Sequence, residues 1–340
     1  IPDYYIGGIA SWEIDLWGKL RNHKKAAVMR FLASEKGAHL VKTNLVAEVA
    51  GTYYQLIALD SKLKFINENI KLQEKELRIV KIQKESGNVT DLAVKQFESQ
   101  LLGSRSEKVD IMQRIIETEN KLNFLLGRYP CPIKRNKHIL EKPLPGLINT
   151  GIPSDMMLYR PDIKQAEMDL LAAQADLKAA RAAFLPSIVI SASAGLNSFD
   201  QGLLFNTPAS VAYNLVGGIT TPLLNRSAIR AGYRNARAYQ LQMYLNYQKT
   251  ILNSFHEVHA LMHNINSLAN LYSLKQQEIV VLTNAIDAWE ELFISGRASY
   301  LEVLISQKRM LQLKQELVNA RMNQFTSIVQ LYKAMGGGWQ

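Results

Sequence analysis

A single cysteine, Cys131, in 340 residues excludes an internal disulfide and any cysteine-based zinc cluster, and leaves the redox compartment open. No run of about 18 apolar residues exists, so no helix reads as membrane-spanning. That absence does not touch a β-barrel, whose strands need only about 9 to 11 residues and leave a weak alternating signal. A nucleophile elbow, a phosphate-binding glycine loop and a paired-acid site are also missing, and with them the enzyme classes they mark. The chain begins with Ile1 and no signal peptide precedes it, the reading expected of a processed or truncated chain. Acidic residues are the scarcer charge, 30 against 40 Lys and Arg, a net charge of +10. The surplus is scattered through helical segments, and its densest cluster, Lys134, Arg135 and Lys137, falls in a loop. Nucleic acid would need a concentrated basic stripe with interleaved aromatics, so the charge reads as solvated helix faces.

What is present is a repeat. At an offset of 209 residues Leu20-Arg21 meets Ile229-Arg230, Asn44 meets Asn253, and Glu48-Val49 meets Glu257-Val258. Ser86-Gly87 meets Ser295-Gly296, Leu92 and Val94 meet Leu301 and Val303, and Leu122 and Gly127 meet Leu331 and Gly336. Each copy predicts two helices, about Leu20 to Glu85 and Thr90 to Leu126, then about Ala228 to Ile294 and Ser299 to Met335. None contains proline, and only Gly37, Gly51, Gly103 and Gly232 interrupt them. The breakers fall in ESGNVTD (85–91) and ISGRASY (294–300), where glycine supplies a C-cap and Thr90 or Ser299 an N-cap. These are two tight helical hairpins.

A helix of about 65 residues reaches roughly 100 Å. Its return partner of about 40 residues is too short to match it, and Pro161 to Phe184 supplies about 25 more. Rods of this kind persist in water by lateral packing. The return helices offer a seam in Leu102, Val109, Met112 and Ile116, answered by Leu311, Val318 and Phe325. A structural coiled coil fits this much.

The strands add more. AARAAFLPSIVISASAG starts helical, and after Pro186 it alternates: Ile188, Ile190, Ala192, Ala194 and Leu196 oppose Ser191, Ser193 and Asn197. A Gly/Asn/Pro-containing loop follows, and VAYNLVGGITTP alternates back to Pro222. IGGIASWEIDLW does the same, with Ile6, Ala10, Trp12 and Ile14 against Ser11, Glu13 and Asp15. Apolar outside and small polar inside is the pattern of an outer-membrane barrel strand, and Trp12 and Trp17 suit an interfacial aromatic girdle. The bland alternative is an edge hairpin packed on soluble helices. By the repeat, a helix and strand matching 161–199 belong before residue 1, so the chain reads as lacking an N-terminal portion.

These features together resemble the outer-membrane efflux proteins of the TolC family, in the NodT/OprM-like lipoprotein subfamily that serves RND pumps. The resemblance rests on SWEIDLWGKLR (11–21), LYRPDIKQAEMDLLAAQADLKAARAAFLPSI (158–188) and GGGW (336–339), and covers essentially the whole chain. It implies a mainly α fold with a small β part. Long antiparallel coiled-coil helices of three chains would form an α-barrel continuous with a transmembrane β-barrel, the Leu185-Pro186 joint marking the change. Residues 1–130 would then be the first repeat without its first helix and strand, with barrel strand 1–16 and helical hairpin 20–126. Residues 131–160 would be the equatorial linker between repeats. Residues 161–340 would be the second repeat, with helix 161–184, strand hairpin 187–222 and helical hairpin 228–335.

The implied function is a passive exit duct of a tripartite efflux pump, in the outer membrane and extending into the periplasm, lipid-anchored when full length. Its partners would be two further copies, a periplasmic adaptor, an inner-membrane RND transporter and outer-membrane lipid, with no nucleic acid and no cofactor. Carried over by position, adaptor docking falls on Gly87, Asn88 and Val89 and on Gly296, Arg297 and Ala298. The pore aperture falls on Glu302, Ile305 and Lys308, with Asp91 and Lys95 from the first hairpin. Relatives often place an acidic residue where Ile305 stands, so an acidic ring and an apolar constriction both remain open. An ABC-type secretion partner, or a soluble helical scaffold, are the alternatives. The exported cargo is not written in the sequence.

Three further features carry no site of their own. His256, His259 and His263 share one helical arc, but the pattern is not H-E-x-x-H and no carboxylate completes a set, so packing or lining is the preferred reading. In RPDI, Pro161 reads as the first helical residue, with Asp162 at the positive helix end. Cys131, in YPCPIK, reads as an inert loop or packed thiol.

Overall fold

A computed structural model describes residues 2–87, 89–136, 139–144, 159–222, 224–294 and 300–338. The elements run β1 (Tyr4–Ile14), α1 (Lys19–Glu85), α2 (Asp91–Leu125), a short turn of helix at Ile139–Glu141, α3 (Pro161–Ala182), β2 (Ser187–Ser198), β3 (Val211–Thr220), α4 (Arg226–Ile294) and α5 (Tyr300–Ala334). The 209-residue offset carries α2 onto α5 residue for residue. Both copies also end in the same left-handed cap. Gly127 N–H donates to Phe124 O and Arg128 N–H to Asn123 O; Gly336 N–H donates to Lys333 O and Gly337 N–H to Tyr332 O. This is the Schellman pairing, and it needs a positive φ, which Gly127 and Gly336 supply.

The chain divides into two compact units, residues 1–38 with 161–252, and residues 39–160 with 253–340. The division cuts across both repeats, because α1 and α4 each contribute to both units.

In the first unit, α3 runs antiparallel to the start of α1: Gln165 lies against Gly37, and Asp176 pairs with Arg30. Small side chains make the packing, with Ala26, Ala33, Ala173 and Ala179 almost wholly buried. The strands form an antiparallel sheet in the order β1-β2-β3. Its register sorts the side chains. Ile6, Ala10, Trp12 and Ile14 align with Leu196, Ala192, Ile190 and Ile188, and these with Val211, Leu215, Gly217 and Ile219. The other face brings Ser11 opposite Ser191 and Ser193 opposite Asn214, with the two hydroxyls of the first pair 3.4 Å apart. The expected alternation therefore holds in outline across all three strands, with Ile9, Val189 and Val216 as apolar exceptions on the polar face.

The strand-to-helix joint explains the SWEIDLWGKLR motif. Asp15 accepts from Leu20 N–H at 3.1 Å and Arg21 N–H at 2.8 Å, two donors the first turn of α1 cannot satisfy itself. Gly18 turns the chain at φ +73°, and Trp17 Nε1 donates to Pro186 O at 2.8 Å, tying β1 to β2.

In the second unit, α1 buries Leu56, Leu59, Ile66 and Ile70 against Leu101, Ile111, Ile115 and Leu122 of α2. Ile57 and Ala58 pack with Val318 and Phe325 of α5 and with Leu140. Arg321 holds the short turn down, donating to Leu140 O at 2.9 Å and to Lys142 O. Within one chain the two halves of the expected seam differ in setting. Leu102, Val109, Met112 and Ile116 are exposed, although Val318 and Phe325 of α5 are buried. The reason is periodicity: α2 carries two apolar stripes, and the core takes the one through Val94, Phe97, Leu101, Ile111, Ile115 and Leu122.

Candidate functional site

The turn of the first helical hairpin is the better described of the two tips. Gly87 stops α1 at φ +76°, with its N–H on Lys84 O at 2.9 Å. A Cβ there would meet nothing within 4 Å, so the glycine serves the backbone and leaves an open surface. Asn88 lies outside the described residues. Val89 is half-buried against Val80, Ala93, Val94, Phe97 and Leu304, and so helps hold the tip together. Thr90 caps α2, its hydroxyl accepting from Ala93 N–H at 3.4 Å.

Charges stitch the turn. Lys84 at the end of α1 pairs with Asp91 at the start of α2. One turn deeper, Glu98 takes Lys81 of α1 at 3.0 Å and Lys95 of α2 at 3.1 Å. The Lys84 hydrogen bond and charge hold the Asp91 carboxyl below its ordinary value. Hydrogen bonds from Lys81 and Lys95 do the same for Glu98, and Glu98 in turn raises Lys95. Asp91 and Lys95 are thus exposed but each already has an ionic partner. Lys81, Lys84 and Glu98 were not singled out from sequence; Lys95 and Glu98 had the i, i+3 spacing as a signal, but the bridges across the turn become visible only when the hairpin closes.

Gly296, Arg297 and Ala298 lie outside the described residues. The three positions that follow on α5 differ in setting. Glu302 is half-buried, and its Oε2 has no hydrogen-bond partner among the described residues. Ile305 is 60% exposed, and Lys308 is exposed. Between them, Val303, Leu304 and Gln307 point into the packed side. Ile305 and Lys308 border a cavity of about 430 Å³, with Leu301, Leu304 and Leu311 on the apolar side and Asn69, Gln73, Gln96, Gln100 and Glu107 on the polar side. Asn69, Gln73, Gln96 and Gln100 each present a buried amide atom without a partner among the described residues, so the lining is polar enough to suit water. Nothing in the sequence marked this amide cluster, whose members lie 200 or more residues before α5.

At the sheet, Trp12 is 65% exposed on the apolar face. Trp17 is half exposed, with its indole N–H committed to Pro186 O. Cys131 is exposed, its Sγ 3.4 Å from Asn123 Oδ1. Arg135, from the basic cluster, is a structural residue: its guanidinium spans Asp60 and Glu119. In RPDI, Pro161 opens α3 as expected, while Arg160 is buried and donates to Ala334 O at 2.7 Å and Glu257 Oε2 at 2.9 Å.

No helix among the described residues is long and apolar enough to cross a membrane. The geometry is that of a rod-like helical hairpin with a charged, open tip, and a sheet with one apolar face. The family model for outer membrane efflux proteins matches residues 3–128 and 152–337. The solvent efflux pump outer membrane protein SrpC of Pseudomonas putida is 30% identical over 337 residues, covering 99% of this chain and 71% of that protein. The cation efflux system protein CusC of Escherichia coli O6:H1 is 30% identical over 342 residues, covering 99% and 73%. A crystal structure of a membrane protein from Pseudomonas aeruginosa superposes with a TM-score of 0.93 at 26% identity, covering 99% of this chain and 76% of that one.

Proposed function

The chain belongs to the outer membrane efflux protein family, the TolC family, and on that premise we propose that it is the outer-membrane exit duct of a tripartite efflux pump. As a member it is a channel-type protein and not an enzyme. In the proposed role it conducts exported small molecules passively, and an inner-membrane RND transporter supplies the energy.

The observation that carries the reading is the sorting of side chains across the sheet. Three successive strands of 10 to 12 residues hold one apolar face in register, the length and pattern that a lipid-facing barrel wall needs. A sheet in lipid must have no free edge, because an unpaired backbone group in hydrocarbon costs several kcal/mol. β1 and β3 are both edges in a single chain, so closure requires further copies, and a homotrimer supplies them. The exposed stripe Leu102, Val109, Met112 and Ile116 supports lateral contact of the same kind.

A periplasmic adaptor docks on the hairpin tips, at Gly87, Asn88 and Val89 and at Gly296, Arg297 and Ala298. The aperture is formed by Glu302, Ile305 and Lys308, with Asp91 and Lys95 beside them. An apolar Ile305 one turn from the acidic Glu302 makes a narrow, weakly cation-preferring constriction. Trp12 and Trp17 sit at the lipid interface, and the full-length form carries a lipid anchor, as in the NodT/OprM-like subfamily.

The test is reconstitution of the full-length protein in planar bilayers with negative-stain imaging of the same sample. Threefold particles that give discrete conductance steps, enlarged or less cation-preferring in Glu302→Ala, are expected. Monomers that need no detergent and give no conductance would defeat the duct; channels indifferent to Glu302→Ala would defeat only the aperture assignment.

A further inference from the structure

The stretch HEVHALMH of α4, residues 256–263, carries three of the six histidines of the chain. At about 100° per residue, Val258, Leu261 and Ile265 share one side of the helix. That side faces the core: Val258 packs with Leu331 and Ala334 of α5, flanked by Leu261 and Ile265. His256, His259 and His263 fall on the opposite side, and all three are exposed. None of them is used by the packing of α4 against α5.

His259 and His263 stand at i and i+4, and their ring centroids are 4.5 Å apart with 55° between the ring planes. Two imidazoles at this spacing on one helix face can turn one nitrogen each to a common point, the arrangement that holds the two histidines of a helical zinc site on their metal. Because the rings are already in contact, little side-chain freedom is lost on chelation. Glu257 is not a third ligand, since its carboxylate accepts from Arg160 on the core side. Among the described residues no group of three or more His, Cys, Asp or Glu is arranged for a metal. A site here is therefore a two-nitrogen chelate completed by water. Such a donor set prefers transition metals over Mg²⁺ or Ca²⁺, and among the divalent ions it favours Cu²⁺ over Ni²⁺ and Zn²⁺.

We propose that His259 and His263 form a chelating site for a divalent transition metal ion, Cu²⁺ foremost, on the face of α4 opposite its core contact. The proposal is independent of conduction. It adds to the lining or packing read from the sequence, since the two rings meet on a face that the packing of α4 against α5 leaves open.

The experiment is titration of untagged full-length protein with Cu²⁺ at neutral pH, followed by electron paramagnetic resonance. One Cu²⁺ per chain with coupling to two nitrogens is expected. His259→Gln and His263→Gln should each weaken binding about tenfold or more, by analogy with the cost of disturbing even an outer-shell partner. His23→Gln should leave it unchanged, and Zn²⁺ should bind more weakly than Cu²⁺. Because both positions are exposed, the variants keep their helical circular dichroism. Cu²⁺ binding that persists undiminished in the double variant, or no binding above that variant, would overturn the site.

Discussion

The two repeats offer a paired substitution in which one copy controls for the other. Gly127 and Gly336 occupy equivalent positions, at φ +66° and +87°, after α2 and α5. An alanine in the left-handed region costs about 1–2 kcal/mol at either place, because Cβ is driven toward its own backbone. At Gly127 that is the whole cost, since nothing lies within 4 Å of the added atom. At Gly336 the same atom would stand 2.6 Å from the carbonyl carbon of Tyr159, 2.7 Å from its oxygen and 2.9 Å from the amide nitrogen of Arg160. Those atoms cannot rotate aside, and Arg160 is fixed by its bonds to Ala334 O and Glu257. Displacing them adds about 1–3 kcal/mol, the usual cost of overpacking. Gly336→Ala should therefore destabilise the second unit by about 2–5 kcal/mol, against about 1–2 for Gly127→Ala. Thermal unfolding in detergent, followed by far-ultraviolet circular dichroism, should show a midpoint lower in Gly336→Ala by at least about 2 °C. Equal losses in the two variants would refute the role given to the Tyr159–Arg160 backbone.

Arg135→Met should cost about 2–3 kcal/mol by leaving Asp60 and Glu119 without their shared, half-buried cation, whereas Arg105→Met, at an exposed pair with Glu74, should change stability by less than about 0.5; denaturant titration of both separates a latch from a surface pair. The tip should loosen in acid. Asp91 and Glu98 have folded values below their ordinary ones, so their contribution is present above the carboxylate range and is lost as pH falls through the folded values. Amide exchange across 81–98, corrected for its intrinsic pH dependence, should speed up below about pH 4; unchanged protection would remove the ion pairs from the account. Trp17→Phe should cost about 1 kcal/mol through loss of the hydrogen bond to Pro186 O, read as a drop in thermal midpoint that the same substitution at the exposed Trp12 does not reproduce.

The helices were legible because their signals are short-ranged. Proline-free runs and capping residues put the ends of α1, α2, α4 and α5 within two residues of where they lie. Gly87 and Thr90 were readable as the C-cap and N-cap of the first turn for the same reason. Of the candidate site, the backbone of that turn was therefore visible and its electrostatics were not. The bridge from Lys84 to Asp91 forms between helices, and Glu98 had to choose between lysines on both. The amide-lined cavity beside Ile305 and Lys308 brings α5 next to α1 and α2, and no local pattern announces it.

By itself the sequence determined the strands, the helices, the joint at Pro186 and the repeat that relates them, since each is fixed by periodicities and breakers a few residues apart. Strand faces followed as well, because a period of two leaves only two choices. A helix leaves more. α2 carries two apolar stripes, and only packing decided that Leu101, Ile111 and Ile115 go inside while Leu102, Val109 and Met112 stay out. Likewise Arg135 looked like part of a basic cluster until Asp60, 75 residues earlier, was brought against it. Burial and ion pairing depend on which surfaces meet, and that is a property of the folded chain rather than of any window along it.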